Sequence, residues 1–288
     1  MNTQPDRQRI VVGHDGSPEA RVAVDWAADE AGRTGCRLHI VHAYQLGWPA
    51  SYFDQPTAPA AEEARRYADR LVAKAVATVL AAHPGLEVTG GTVHDAPAPA
   101  LIRTGAPDTR LIVVGNRGAG GLTGLLLGSV SLHVATHAGT PVAVVRGRAD
   151  PAGPVVVGTD GSPSADTALE MAFAAAAARN APLLPIRAYV PPAGSAARVD
   201  GLEAAERSAL EASLRVWRHK YPEVVVTPSV GVGSVARMLV NRSHTAQLVV
   251  VGSRGHGGFA GLLLGSTGQQ LMHHAECPVL IAHARSGG

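Results

Sequence analysis

Short, almost uninterrupted apolar runs alternate along the chain with longer stretches in which small apolar and polar residues mix. Residues 9–14 (RIVVGH), 37–44 (RLHIVHAY), 86–93 (LEVTGGTV), 111–116 (LIVVGN) and 141–146 (PVAVVR) read as strands. Between them, 18–33, 62–82, 97–104 and 129–137 read as helices, the first with Ser17 at its N-cap. Strands this apolar are buried on both faces, the mark of a parallel sheet covered by helices. The pattern predicts a doubly wound, five-stranded α/β domain of Rossmann-like winding. Residues 45–60 hold three prolines with Trp48, Tyr52 and Phe53, show no period, and read as a loop whose aromatic residues pack on the domain body.

The pattern then occurs again. VVGHDGSPEA (11–20) returns as VVGTDGSPSA (156–165), and LIVVGNRGAGGLTGLLLGSV (111–130) as LVVVGSRGHGGFAGLLLGST (248–267). A period far longer than the roughly 20–50 residues of a solenoid means duplicated globular domains. The Gly-, Pro- and charge-bearing stretch RGRADPAGP (146–154) is the linker, which divides the chain into tandem domains at 1–148 and 149–288. Each half ends in an apolar strand, PVAVV (141–145) or PVLIA (278–282), that would be a bare sheet edge. The two final strands are expected to pair, giving an intramolecular pseudo-dimer open to further homodimerisation.

In a doubly wound sheet a ligand sits at the carboxyl ends of the strands where the winding reverses, here between strands one and four. Both repeated words fall there. Gly115, Gly118, Gly120, Gly121 and Gly124 follow strand four, and Gly128-Ser129 opens a helix. Glycines let backbone approach an anion and adopt positive φ, and a helix start presents free N–H groups to it. Asp15, at the end of strand one, is placed to accept hydrogen bonds from ribose hydroxyls. The loop has neither the spacing nor the lysine of a P-loop, and it follows the wrong strand for a dinucleotide fingerprint. The leucines at 125–127 and 262–264 read as packing beneath the loop.

These residues resemble the universal stress proteins over nearly the whole chain, and specifically their ATP-binding branch. That branch is marked by G-x2-G-x9-G-[ST], which stands here as Gly115, Gly118, Gly128, Ser129 and again as Gly252, Gly255, Gly265, Ser266. The resemblance implies an adenine nucleotide alpha hydrolase-like fold and one adenine-nucleotide site per domain, holding ATP with Mg2+. It assigns Asp15 to ribose, Val41 to adenine, and Gly115, Gly118, Gly128 and Ser129 to ribose or phosphates, with Arg117 adding charge. Gly13, His14, Val114, Val130 and Ser131 complete the first candidate set, Ser131 offering a second hydroxyl to phosphate. The second set is Gly158, Thr159, Asp160, Ile186, Val251, Gly252, Arg254, Gly255, Gly265, Ser266 and Thr267. Gly268 replaces Ser131 there, so the first site is expected to bind ATP more tightly.

Composition narrows the function further. The formal net charge is only +2, basic residues are scattered, and aromatic residues make up 4%, which argues against a nucleic-acid surface. No apolar run is long enough to span a membrane, the first residues lack a secretory layout, and Cys36 and Cys277 form no metal or redox spacing, so a cytoplasmic protein is expected. His133 and His137 lie one helical turn apart and His273 and His274 adjoin, but no third metal ligand can be named for either pair. Only an arginine and an aspartate recur near the loop, and neither half shares a base for an attacking water. The chain reads as a regulatory binder with no catalytic residues and at most slow hydrolysis. The alternative is a slow ATPase or adenylyl-transferring enzyme, although GHDGS departs from the S-G-G-x-D-S of the latter.

Overall fold

The computed structural model describes residues 8–45, 58–105, 108–120, 127–191, 199–256 and 264–283. The loop expected over 45–60 lies mostly outside these residues, as do 121–126 and 257–263 in the two glycine-rich segments. The chain forms two compact units, residues 1–140 and 141–288.

The first unit alternates strands and helices: β1 (Arg9–Gly13), α1 (Pro18–Thr34), β2 (Arg37–Tyr44), α2 (Ala58–Ala82), β3 (Val88–His94), α3 (Pro97–Thr104), β4 (Thr109–Gly115) and α4 (Ser129–His137). Its strands lie in the order β3-β2-β1-β4, all parallel. Ile10, Val11 and Val12 of β1 and Ile112 and Val113 of β4 are fully buried, so the apolar runs fill the centre of the sheet. Because β1 pairs with β2 on one side and β4 on the other, the winding reverses between β1 and β4. Two features sharpen the sequence expectation. Helix α2 begins four residues earlier than its periodicity suggests. Gly90 in β3 has no room for a side chain, since a Cβ would lie 2.4 Å from Val72 of α2, and this lets the long helix rest on the sheet.

The second unit holds β5 (Val142–Val145), β6 (Val155–Gly158), α5 (Pro163–Arg179), β7 (Leu183–Tyr189), α6 (Val199–Lys220), β8 (Ser229–Val232), α7 (Val235–Ser243), β9 (Leu248–Gly252), α8 (Ser266–His274) and β10 (Val279–Ala282). The strand order is β5-β10-β9-β6-β7-β8, parallel except that β5 runs antiparallel to β10. Val144 faces Val279 and Val142 faces Ile281, all fully buried. The last strand of the first repeat thus groups with the second unit, where the two apolar edges satisfy each other. The chain is an α/β protein of two tandem doubly wound domains.

The turns into the helices repeat as their words do. Ser17 Oγ accepts from the Ala20 amide and Ser162 Oγ from the Ala165 amide, each beside a proline in the first helical turn. Gly16 and Gly161, just before these caps, have φ of 86° and 82°, which explains the glycine in both copies of DGSP. The linker is tied down within the second unit: Arg148 N–H donates to Glu276 O, and Asp150 N–H to Ala246 O.

Gly147 has φ +58° and a Cβ there would lie 2.0 Å from the Glu276 carbonyl oxygen. Gly147→Ala should therefore destabilise the second unit by about 2 kcal/mol or more. Gly139→Ala, with open space around it, serves as the control and should be close to neutral. Urea unfolding of both variants checks this; equal midpoints would refute it.

Candidate functional site

Each unit has a cavity at the carboxyl ends of its central strands, of about 410 Å3 in the first and about 460 Å3 in the second. The residues singled out from the first repeat all line the first cavity: Gly13, His14, Asp15, Val41, Val114, Gly115, Arg117, Gly118, Gly128, Ser129, Val130 and Ser131. In the second unit Gly158, Thr159, Asp160, Val251, Gly252, Arg254, Gly255, Gly265, Ser266 and Thr267 line the cavity, but Ile186 does not. Ile186 is buried, its carbonyl accepts from the Thr159 amide, and Ala188 lines the second cavity from β7 instead. The Val41 carbonyl likewise accepts from the His14 amide.

The aspartates do more than face a ligand. Asp15 Oδ1 accepts from the Ser17 amide at 3.0 Å and Oδ2 from the Ala119 amide at 2.7 Å. Asp160 repeats both contacts with the amides of Ser162 at 2.9 Å and His256 at 2.8 Å. One carboxylate thus joins the turn after the first strand to the loop after the fourth. Burial pushes the Asp15 carboxyl up, but hydrogen bonds from the Ser17 hydroxyl and amide and the Ala119 amide outweigh it and hold the group below the usual carboxylate value. Asp160 is held low in the same way, by the Ser162 hydroxyl and amide and the His256 amide, with the nearby His256 ring lowering it further.

This clamp explains the loop glycines differently from the expectation of positive φ. Among the described residues, left-handed glycines occur only at 16, 35, 147, 161 and 233. The constraint at Gly118 and Gly255 is space, because a Cβ would stand 2.4 Å from Asp15 Oδ2 and 2.5 Å from Asp160 Oδ2. Gly115 and Gly252 are pressed in turn against the backbone of Glu19 and Ser164.

Helices α4 and α8 open into the cavities without a side-chain cap. Gly128 and Gly265 occupy their N-cap positions and provide no side-chain hydrogen bond, unlike Ser17 and Ser162. The leading amides of Ser129 and Val130, and of Ser266 and Thr267, thus meet the cavity at the positive end of a helix dipole. Such an end binds an anion.

Ser131 departs from its expected role. Its hydroxyl donates to the Gly115 carbonyl oxygen at 2.6 Å and the residue is buried, so its proton is committed to tying α4 to the end of β4. At Gly268 a Cβ would lie 3.1 Å from Leu264, which fills part of the equivalent space. The Ser131 hydroxyl therefore gives no basis for tighter binding at the first site.

The other ends of the cavities are apolar and include residues the repeated words do not reveal. Ala43, Pro97 and Leu101 line the first, and Ala188 and Val235 the second, beside Ala20 and Ala165 from the repeated words. The signal for α3 and α7 was indirect: Gly13 and Gly158 leave room for Leu101 and Leu239 respectively. The first cavity also gains His42, whose Nδ1–H donates to the His14 carbonyl at 2.7 Å. Burial pushes the His14 imidazole down, with Asp15 pulling it up and His42 and Arg21 down, and its Nδ1 has no hydrogen-bond partner among the described residues. Outside the cavities, the rings of His133 and His137 stack 4.2 Å apart, and no group of three or more potential metal ligands occurs among the described residues. No helix among the described residues is long and apolar enough to cross a membrane.

Because folding depresses both aspartates, the stability they contribute is present above the ordinary value of 3.8 and is lost as pH falls through the lower folded value. Asp15→Asn should cost about 1 kcal/mol at neutral pH, and the cost should vanish in stronger acid. Chemical denaturation across pH checks this; a deficit that does not change with pH would contradict it.

Two stretches, residues 6–146 and 152–283, match the model of the Universal stress protein family. A universal stress protein of Mycolicibacterium smegmatis is 35% identical over 288 residues, covering 96% of this chain and 97% of its own. The crystal structure of a universal stress protein from Archaeoglobus fulgidus shares the fold, with a TM-score of 0.69 at 19% identity and 96% of both chains covered. A solved universal stress protein in complex with cAMP is 31% identical, with a TM-score of 0.37 over 48% of this chain and 96% of that one. With both halves matched by the family and the relatedness extending over almost its full length, the chain belongs to the universal stress protein family.

Proposed function

We propose that each unit binds one adenine nucleotide, ATP with Mg2+, and that the protein is a cytoplasmic, nucleotide-dependent regulator in a stress response. The observation that carries this is the pairing, in both cavities, of an uncapped helix N-terminus with a carboxylate in the turn that follows the facing strand. A phosphate suits the free amides, and the aspartate retains acceptor capacity for sugar hydroxyls. The apolar end, formed in the first unit by Val41, Ala43, Leu101 and Val114, suits a flat base. Mg2+ fits as a partner of the phosphates that keeps much of its water, since no acidic cluster stands beside either loop among the described residues. Arg117 or Arg254 adds positive charge. A binder whose nucleotide sets its conformation or its choice of partner is the function that these parts support.

Chromatography of the nucleotide released on denaturing freshly purified protein tests the reading. ATP near two per chain supports it; ADP alone with measurable turnover favours the slow ATPase, and the absence of any adenine-nucleotide binding overturns both. Gly118→Ala and Gly255→Ala should each weaken ATP binding at their own site by about tenfold or more, because the added methyl drives the aspartate off the loop. Calorimetric titration checks this. A folded double variant with unchanged stoichiometry and affinity would rule out the assignment of the loops.

A further inference from the structure

The two cavities treat their arginines differently. Arg117 and Arg254 hold equivalent places in the repeated loop, and each lines its cavity. The residue that touches each loop from the first turn of the facing helix is Glu19 in α1 and Ser164 in α5, and both press against the equivalent glycine, Gly115 or Gly252. Their chemistry diverges. Glu19 Oε1 pairs with Arg117 Nη2 at 3.3 Å. Ser164 has no charge, and its hydroxyl donates instead to the backbone carbonyl of Arg254. No ion pair of the Arg254 guanidinium occurs among the described residues, whereas the first loop's cation is paired with a carboxylate.

We infer that the two sites differ in the number of phosphates they prefer: the second selects the triphosphate, and the first discriminates much less between an adenine nucleoside triphosphate and monophosphate. The inference rests on the nucleotide reading above and deepens it. A longer phosphate chain brings more negative charge to the loop, where the second site offers an uncommitted guanidinium and the first offers one already paired, with the Glu19 carboxylate repelling the chain. The backbone donors do not favour either unit, because Gly128 and Gly265 leave the same amides uncapped. Two residues further along, Arg21 and Asp166 carry charges of the opposite sense, but neither touches a loop arginine among the described residues, and the Arg21 guanidinium is turned to the Gly16 carbonyl at 2.8 Å. His256, 3.6 Å from Asp160, replaces Ala119 in the second loop and adds no negative charge.

The test uses the intact chain. Photolabelling with 8-azido-ATP, followed by peptide mapping, reads each site separately while unlabelled ATP or AMP competes. The ratio of AMP to ATP needed for half-displacement should be about tenfold or more larger at the second site than at the first. Glu19→Ser should raise the first-site ratio toward the second, and Ser164→Glu should lower the second toward the first. Glu19→Gln, which keeps the side chain's length, should act as Glu19→Ser does and covers the case in which serine disturbs the turn. The gap should narrow between about 50 mM and about 500 mM salt, because these groups are partly exposed. Equal ratios at the two sites, or ratios that the exchanges do not move, would overturn the inference while leaving the nucleotide reading intact. Labelling that no adenine nucleotide displaces would overturn that reading and the inference with it.

Discussion

A single carboxylate in each unit holds together two loops that are distant in sequence. Asp15 takes the Ser17 amide on one oxygen and the Ala119 amide on the other, and Asp160 does the same with Ser162 and His256. The turn after the first strand and the loop after the fourth become one wall. Much else follows from that arrangement. The residue beside the carboxylate must lack a Cβ, the preceding glycine must lie flat against the facing helix, and the helix beyond the loop starts at the mouth of the cavity. A substitution at Gly118 is thus felt first by an acid from another part of the chain, before any ligand is present.

The sheet supports this wall by position more than by chemistry. The winding reverses between the strands that lead into the aspartate and into the loop, so their ends diverge and leave a cleft. The buried valines of β1, β4, β6 and β9 give those ends little freedom to shift. Strand residues share the apolar part of the cleft with α3 and α7, which add Leu101 and Val235, while Leu101 and Leu239 fill the space that Gly13 and Gly158 leave. The site therefore combines a polar rim with an apolar recess built by ordinary core packing.

The strands and helices were legible because their periodicity is strong and because the chain states it twice. The positions of the loops were legible too, since glycine clusters and DGSP mark points where backbone geometry is restricted. What the sequence concealed was the direction of side chains. Ser131 looks available beside Gly128-Ser129, yet two residues into a helix it turns back to β4 and bonds Gly115. Ile186 matches Val41 in the alignment of the repeats but does not line its cavity. The loop glycines suggested unusual dihedrals, whereas their constraint is a carboxylate more than 90 residues away in sequence. Such contacts depend on how three elements converge, which no local pattern records. The grouping of β5 with the second unit is the same lesson at larger scale, since a repeat boundary follows the gene's duplication and a compact unit follows burial.

The open starts of α4 and α8 have a consequence for the protein's persistence. A side-chain cap such as those on α1 and α5 contributes about 1 kcal/mol, and these two helices forgo it. A ligand that bonds their amides restores what the chain omits and stabilises the folded state in proportion to the logarithm of its concentration over its dissociation constant. In a cell, the fraction of molecules open to proteases follows that stability. On the nucleotide reading, abundance is coupled to nucleotide supply: the chain survives longer when its ligand is plentiful and is cleared faster when it is scarce, with no change in its synthesis.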